Sequence, residues 1–154
     1  MGCGQEEKQN FYASYLGNIK HDDFTYSFDF KCKDIIKWQE GDHSMLIVTI
    51  DDILVGKKLS YVTLPDEDLI RFTTRIGENP SDFKKGLLNL VKGEFIKISE
   101  PSGSFKLRRE HRPVVLLSNG VGISAMRTII RRYVESQNMV TEMLQINVDA
   151  KSNI

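Results

Sequence analysis

The sequence predicts an all-β section of short antiparallel strands, a sandwich or a barrel, followed by a small strand–helix–strand unit. Three observations point there. Over the first hundred positions, β-branched and aromatic residues gather in short runs separated by turn residues. Later, Pro113-Val114-Val115-Leu116-Leu117 is a continuous apolar run, the mark of a strand that a parallel sheet covers on both faces. Between these two textures lies a charged connector, Arg108 to Arg112, which divides the chain into units 5–108 and 109–154. A length of 154 residues leaves room for one ordinary domain, or for one small domain plus part of another.

Taken in order, Phe11 to Ile19 and Phe24 to Cys32 read as an opening antiparallel pair joined by the polar stretch Lys20-His21-Asp22-Asp23. Further strands are expected at Ser44 to Ile50, Leu59 to Thr63 and Leu69 to Ile76. Gly41-Asp42, Val55-Gly56-Lys57 and Pro65-Asp66-Glu67 supply the turns. The period then changes. Asn79-Pro80-Ser81-Asp82 places a side-chain cap, a proline at the first helical position and an acid in the first turn. The helix that follows sets Phe83, Leu87, Leu88 and Val91 on one face and ends at Gly93. Glu94 to Ser99 is a strand with Ile96 and Ile98 on its apolar side, and Glu100 to Phe105 is a loop. In the last third, Ser118-Asn119-Gly120-Val121-Gly122-Ile123 links the apolar strand to a helix over Ser124 to Ser136. Met143 to Val148 is the returning strand.

Composition narrows the function classes. The 21 basic side chains are balanced by 21 acidic ones, so there is no positive field to hold nucleic acid by counterion release. No apolar run approaches the roughly 18 residues of a membrane-spanning helix. Glu6 stands where a myristoylation signal wants Ser or Thr, so the Met1-Gly2-Cys3-Gly4 start reads as an ordinary end. Two cysteines, Cys3 and Cys32, and three scattered histidines make neither a disulfide framework nor a metal set, and a reducing cytoplasm is the default compartment.

Three segments could carry chemistry. Gly120-Val121-Gly122, between a strand and a helix, offers free backbone N–H groups to a pyrophosphate, although any α/β domain can use such a tight turn. Ser81 and the first-turn amides of the earlier helix could meet a phosphate, or simply cap the helix. Lys57-Lys58-Leu59-Ser60-Tyr61 combines cations, a hydroxyl and a ring on a strand. That pattern also suits a solvated, aggregation-resistant edge.

Their order along the chain resembles one family. Trp38-Gln39-Glu40-Gly41-Asp42-His43 looks like the strand and turn before the flavin site of ferredoxin-NADP reductase-like proteins, and Lys57 to Pro65 resembles their Arg-x-Tyr-Ser flavin motif. Thr74-Arg75-Ile76 with Ser81-Asp82-Phe83-Lys84 is similar to their second flavin-contacting strand and phosphate-facing helix. Gly93 through Pro101-Ser102-Gly103-Ser104-Phe105 matches the stretch that closes the barrel. Asn119 to Thr128 looks like the Gly-Gly-x-Gly-Ile-Thr-Pro-x-x-Ser loop that opens the pyridine-nucleotide domain.

The resemblance implies a six-stranded antiparallel Greek-key FAD-binding barrel followed by a partial Rossmann-like βαβ segment. It implies an FAD-dependent enzyme that passes electrons from NAD(P)H through the flavin to a protein or small-molecule acceptor. Ser60 would hydrogen-bond the flavin as the catalytic hydroxyl. Lys57, Leu59, Tyr61, Thr74, Arg75 and Ser81 would complete the FAD site, and Gly120, Gly122 and Ser124 would receive the nicotinamide dinucleotide. Lys57 keeps the charge of the family's arginine without its bidentate fork, and Leu59 replaces an aromatic, so FAD would be held weakly. The alternative is a flavin-free barrel acting as an interaction or electron-transfer partner module. The chain also stops after the second of about five expected parallel strands. Its last forty residues are therefore expected to be covered by a second copy or another partner.

Overall fold

The computed structural model describes residues 10–149. The N-terminal end with Cys3, and positions 150–154, lie outside the described residues. Six strands form one antiparallel curled sheet: β1 (Asn10–Lys20), β2 (Thr25–Cys32), β3 (His43–Ile50), β4 (Ile53–Ser60), β5 (Ile70–Arg75) and β6 (Phe95–Ser99), in the order β4-β3-β6-β1-β2-β5. The two outer strands meet where β4 ends, through a bridge between Tyr61 and Phe72 and a Val62 N–H donating to Arg71 O at 2.9 Å. Helix α1 (Asp82–Asn89) lies on β3 and β4. A second, parallel sheet pairs β7 (Val114–Asn119) with β8 (Met143–Val148), connected by α2 (Ile123–Glu135). No helix among the described residues is long and apolar enough to cross a membrane.

Alternation builds the barrel core. Phe11, Ala13 and Tyr15 of β1 point inward with Phe28 and Phe30 of β2, Leu46 and Val48 of β3, Ile70 and Phe72 of β5, and Ile96 and Ile98 of β6. Tyr61 stacks on Trp38 with ring centroids 5.0 Å apart, and its hydroxyl lies 2.8 Å from Ser44 Oγ. The Trp38 indole N–H donates to Thr63 O at 2.7 Å, so both buried polar tips are satisfied. Gly86 lets α1 seat closely: a Cβ there would lie 2.6 Å from Val48 Cγ2.

Three elements differ from the sequence expectation. β4 starts at Ile53 because Asp51 and Asp52, both at positive φ, make a two-residue hairpin turn directly after β3. Gly56 therefore lies within the strand, opposite Ile47, rather than in a turn. Helix α1 is preceded by Ser81 rather than Asn79 at the cap, and buries Phe83, Gly86 and Leu87, whereas Leu88 and Val91 face solvent. The apolar face is narrower than the periodicity suggests because the helix is short and leans on only two strands. Strand β7 is covered on one face alone. Leu116 packs with Ile129 and Val140, while Val115 and Leu117 are 61% and 65% exposed. Leu107 belongs to this second cluster, so the connector begins to pack on the α/β unit before Arg108.

Candidate functional site

The barrel and the α/β unit enclose a cleft of about 590 Å³. On the barrel side its walls are the β1–β2 turn, with Asp22 and Phe24, and the outer face of β5, with Thr73 and Arg75. Opposite them lie the glycine turn and the start of α2, represented by Gly120, Val121, Ile123 and Ser124. Asn147 and Asp149 close one end, at and just beyond the end of β8. The cleft thus opens at the carboxyl ends of two parallel strands, where α/β sheets place their ligands. Gly120 sits at φ +52°, in the left-handed region that a glycine enters without strain, and this turns the chain from β7 into α2.

A cationic corner adjoins the cleft. Lys84, in the first turn of α1, has its amine pulled below the usual lysine range by burial, and the nearby Lys57 and Arg75 charges push in the same direction. Among the described residues none of these three cations takes part in a close ion pair, so their fields add. Such a gathering is self-repelling until an anion enters it. The Arg75 guanidinium also lies over the Phe24 ring, 5.3 Å from its centroid. The Asp22 carboxylate accepts the Phe24 and Thr25 N–H groups, each at 2.7 Å; these bonds, with Arg75 nearby, hold it below the usual carboxylate range.

The cleft is held in shape by a charge-paired clamp. Arg127 of α2 donates to Val62 O at 2.6 Å and forks onto Glu67, with nitrogen–oxygen distances of 2.9 and 2.8 Å. Arg131 reaches the same carboxylate at 2.8 Å. The Arg127 bonds, helped by the Leu64 N–H and by Arg131, hold the Glu67 carboxyl below its ordinary value. A few residues along, the fully buried Thr128 accepts the Gly41 N–H at 3.1 Å, tying α2 to the loop before β3. A depressed carboxyl contributes stability that is present above the unfolded-state pKa and is lost as pH falls through the folded value. Glu67→Gln is therefore expected to destabilise the chain at pH 7 and to lose that effect in acid below the ordinary glutamate range. Thermal melts of both forms across pH 3–7 check this, and a constant gap between them would contradict it.

The structure brings only some of the predicted residues together. Arg75, Gly120 and Ser124 line the cleft, and Gly122 belongs to the same turn. The Ser124 hydroxyl is already committed, donating to Val121 O at 2.7 Å. Lys57 joins the cationic corner through Lys84. Ser81 caps α1 outside the cleft lining, and Ser60 ends β4 opposite His43. Leu59, Tyr61 and Thr74 fall on the core side: Leu59 packs against the barrel core, Tyr61 is fully buried in it and Thr74 is 7% exposed. None of these three presents a ring or hydroxyl to the cleft, because β4 and β5 turn alternate side chains inward. Sequence reasoning misses Thr73, Phe24, Asp22 and Asn147. Their only sequence signal is a turn or strand setting, and long-range pairing alone brings them to one place.

Comparison with solved structures decides the fold. The chain superposes on ferredoxin-NADP+ reductase from Plasmodium falciparum with a TM-score of 0.77 at 12% identity, covering 97% of this chain and 63% of that one. The fold is that of the ferredoxin-NADP reductase-like proteins. The flavohem-like FAD/NAD-binding domain of nitric oxide dioxygenase from Vibrio cholerae gives a TM-score of 0.79 at 21% identity, over 92% of this chain and 63% of that one. A curated flavohemoprotein from Oceanobacillus iheyensis is 31% identical over 86 residues, 53% of this chain and 21% of that protein. No family model matches. The chain spans about a fifth of that flavohemoprotein and less than two thirds of either structure. In this reductase-like fold the six-stranded sheet is the barrel, and β7-α2-β8 is the partial Rossmann-like segment that follows it.

Proposed function

We propose that this chain is the flavin-binding part of an FAD-dependent oxidoreductase that takes electrons from NAD(P)H and passes them to a protein or small-molecule acceptor. One observation carries the reading: a glycine turn at the end of a parallel strand and the Arg75 guanidinium on the outer face of β5 line the same cleft, and Lys84 and Lys57 add positive charge near Arg75. The donor set fits a dinucleotide of this kind. Lys57, Lys84 and Arg75 would neutralise its phosphates, and Gly120 and Gly122 would let a second pyrophosphate approach the backbone. Ser60 would hydrogen-bond the ring system, as the resemblance to the reductases implies. FAD would supply hydride acceptance and electron transfer, and the chain's contribution is to hold, orient and shield it. The test is titration. FAD titrated with the purified protein should show a perturbed absorption spectrum and quenched fluorescence, and a chain that leaves both unchanged with protein in excess would sink the proposal. Turnover of NAD(P)H by this chain alone should be slow, since much of the positioning surface of a full reductase lies outside it.

A second reading is favoured by the inward placement of Leu59 and of Tyr61 just beyond β4, neither of which lines the cleft. On that reading the barrel binds no flavin and serves as an interaction module. The same titration separates the two.

For assembly we propose a symmetric dimer. Val115, Leu117, Leu144, Ile146 and Val148 form an apolar face of the parallel sheet, each between 43% and 65% exposed, and among the described residues both sheet edges are unpaired. This face carries no charge, and the chain's net charge is zero, so a second copy meets no repulsion there. Light scattering at micromolar concentration should give twice the 17.6 kDa chain mass, and Leu117→Lys should restore the monomer. A wild-type monomer would refute the dimer.

A further inference from the structure

A hydrogen-bonded line runs from solvent into the cleft. The exposed His21, in the turn between β1 and β2, has Nε2 2.7 Å from Ser27 Oγ. Ser27 Oγ is in turn 2.7 Å from Thr73 Oγ1, and Thr73 lines the cleft. The middle member is sealed off, with Ser27 only 1% exposed. Pairing fixes the geometry: Ser27 and Thr73 are register partners on the outer face of β2 and β5. The His21 backbone N–H donates to Thr25 O at 2.9 Å, which holds the imidazole at the end of the line.

Each hydroxyl has one proton to give, so the line has a direction. When His21 Nε2 carries a proton, it donates to Ser27 Oγ, Ser27 donates to Thr73 Oγ1, and the Thr73 O–H is left to point into the cleft. When Nε2 is bare it accepts the Ser27 proton, Ser27 accepts that of Thr73, and the cleft meets lone pairs only. The presence or absence of a proton on Nε2, set by the ring's charge and tautomer, is thereby read as donor or acceptor inside the cleft. We propose that His21, Ser27 and Thr73 form a proton wire that delivers a proton from solvent to a group bound in the cleft.

The step balances without a further reagent. The Nε2–H bond breaks as a bond forms to Ser27 Oγ, the Ser27 proton moves to Thr73 Oγ1, and the Thr73 proton moves to the acceptor. Three bonds to hydrogen break, three form, and one positive charge enters the cleft. Water then reprotonates the ring, and the hydroxyls rotate back. For the acceptor's identity the proposal rests on the oxidoreductase reading, in which a hydride brought into the cleft adds negative charge that a proton neutralises. An imidazole suits the task because its ordinary pKa, about 6.5, lies near neutrality. The charged groups beside it on its own turn are Lys20, Asp22 and Asp23, and those lining the cleft at the far end of the wire are Asp22, Asp23, Arg75 and Asp149.

The test uses the chain itself, without flavin. In a pH titration followed by NMR with labelled threonine methyls and histidine rings, the Thr73 signal should shift with the same midpoint as the His21 ring. In Ser27→Ala, with its amide fingerprint otherwise kept, His21 should still titrate while the Thr73 step is lost. A Thr73 signal that is flat in the wild type, or that keeps its step in Ser27→Ala, overturns the wire. The second case would mean that Thr73 senses the ring charge only through space. Coupled titration in a chain that binds no FAD would leave the wire standing and remove the oxidoreductase reading. With FAD bound, His21→Gln should abolish the step at the His21 midpoint in the pH dependence of flavin reduction, and an unchanged profile would overturn the wire's role in that reaction.

Discussion

Gly41→Ala should lower stability by about 4 kcal/mol, among the largest effects of any single methyl in this chain. Gly41 sits at φ +74°, and a Cβ built on it would lie 1.6 Å from the carbonyl oxygen of Phe105 and 2.7 Å from that carbonyl carbon. Both obstacles are backbone, so no side chain can swing away. The loop is also fixed from other directions. The Gly41 N–H donates to Thr128, Gln39 N–H donates to the Asp42 carboxylate at 2.7 Å, and Lys106 pairs with Asp42. Relief at Gly41 would therefore pull α2 and the 101–106 loop away from the barrel. Gly77→Ala is the control, since a Cβ there meets nothing within 4 Å, and its effect should stay within about 0.5 kcal/mol. Urea midpoints for the two variants decide the matter. Equal midpoints would mean that the Phe105 contact does not constrain the fold.

The second large effect concerns the cationic corner. Lys84→Glu should weaken FAD binding at least roughly tenfold, or about 1.4 kcal/mol, because it turns an attraction to phosphate into a repulsion beside Lys57 and Arg75. Added salt should shrink the difference, as screening does for charges close to the surface. The neighbouring Lys85→Glu is the comparison. Lys85 is already paired with Asp82 at 3.0 Å and is half exposed, so its reversal should change affinity by less than about twofold. Fluorescence-quenching titrations of FAD at two salt concentrations measure both variants. Equal losses would show that the phosphates do not sit at Lys84.

Much of the barrel is legible in the sequence because period-two burial leaves a clear signature. The inward set Phe28, Phe30, Leu46, Val48, Ile96 and Ile98 can be picked out by alternation alone. The parallel unit is equally plain, since an apolar run, a glycine turn and a helical stripe follow one another without interruption. The start of β4 is not legible, because a glycine in mid-strand and two aspartates in a hairpin turn have similar local statistics. Only the register with β3 tells them apart. The site is legible in part for a related reason. Gly120, Ser124 and Arg75 carry a local signal, whereas Phe24 reaches Thr73 and Arg75 only through the pairing of β2 with β5, more than forty positions apart. The sides taken by Leu59 and Tyr61 depend on a one-residue register that composition does not encode.

The position of β6 governs how this chain can be assembled as it leaves the ribosome. β1–β2 and β3–β4 are local hairpins, but β3 and β1 do not pair with each other; each is joined to β6, which lies between them. Until residue 99 has emerged, the two hairpins are linked only through β5, which pairs with β2 and meets the end of β4 at the Tyr61–Phe72 bridge, and the sheet stays open between β3 and β1. Closure then demands pairings such as Asn10 with Ser99, across almost the whole barrel sequence. Such long-range closure is slow, and the waiting strand edges are open to chaperones and to neighbouring chains. A ribosome stalled a few codons before β6 should thus carry a protease-sensitive chain, and one stalled well beyond it a resistant barrel.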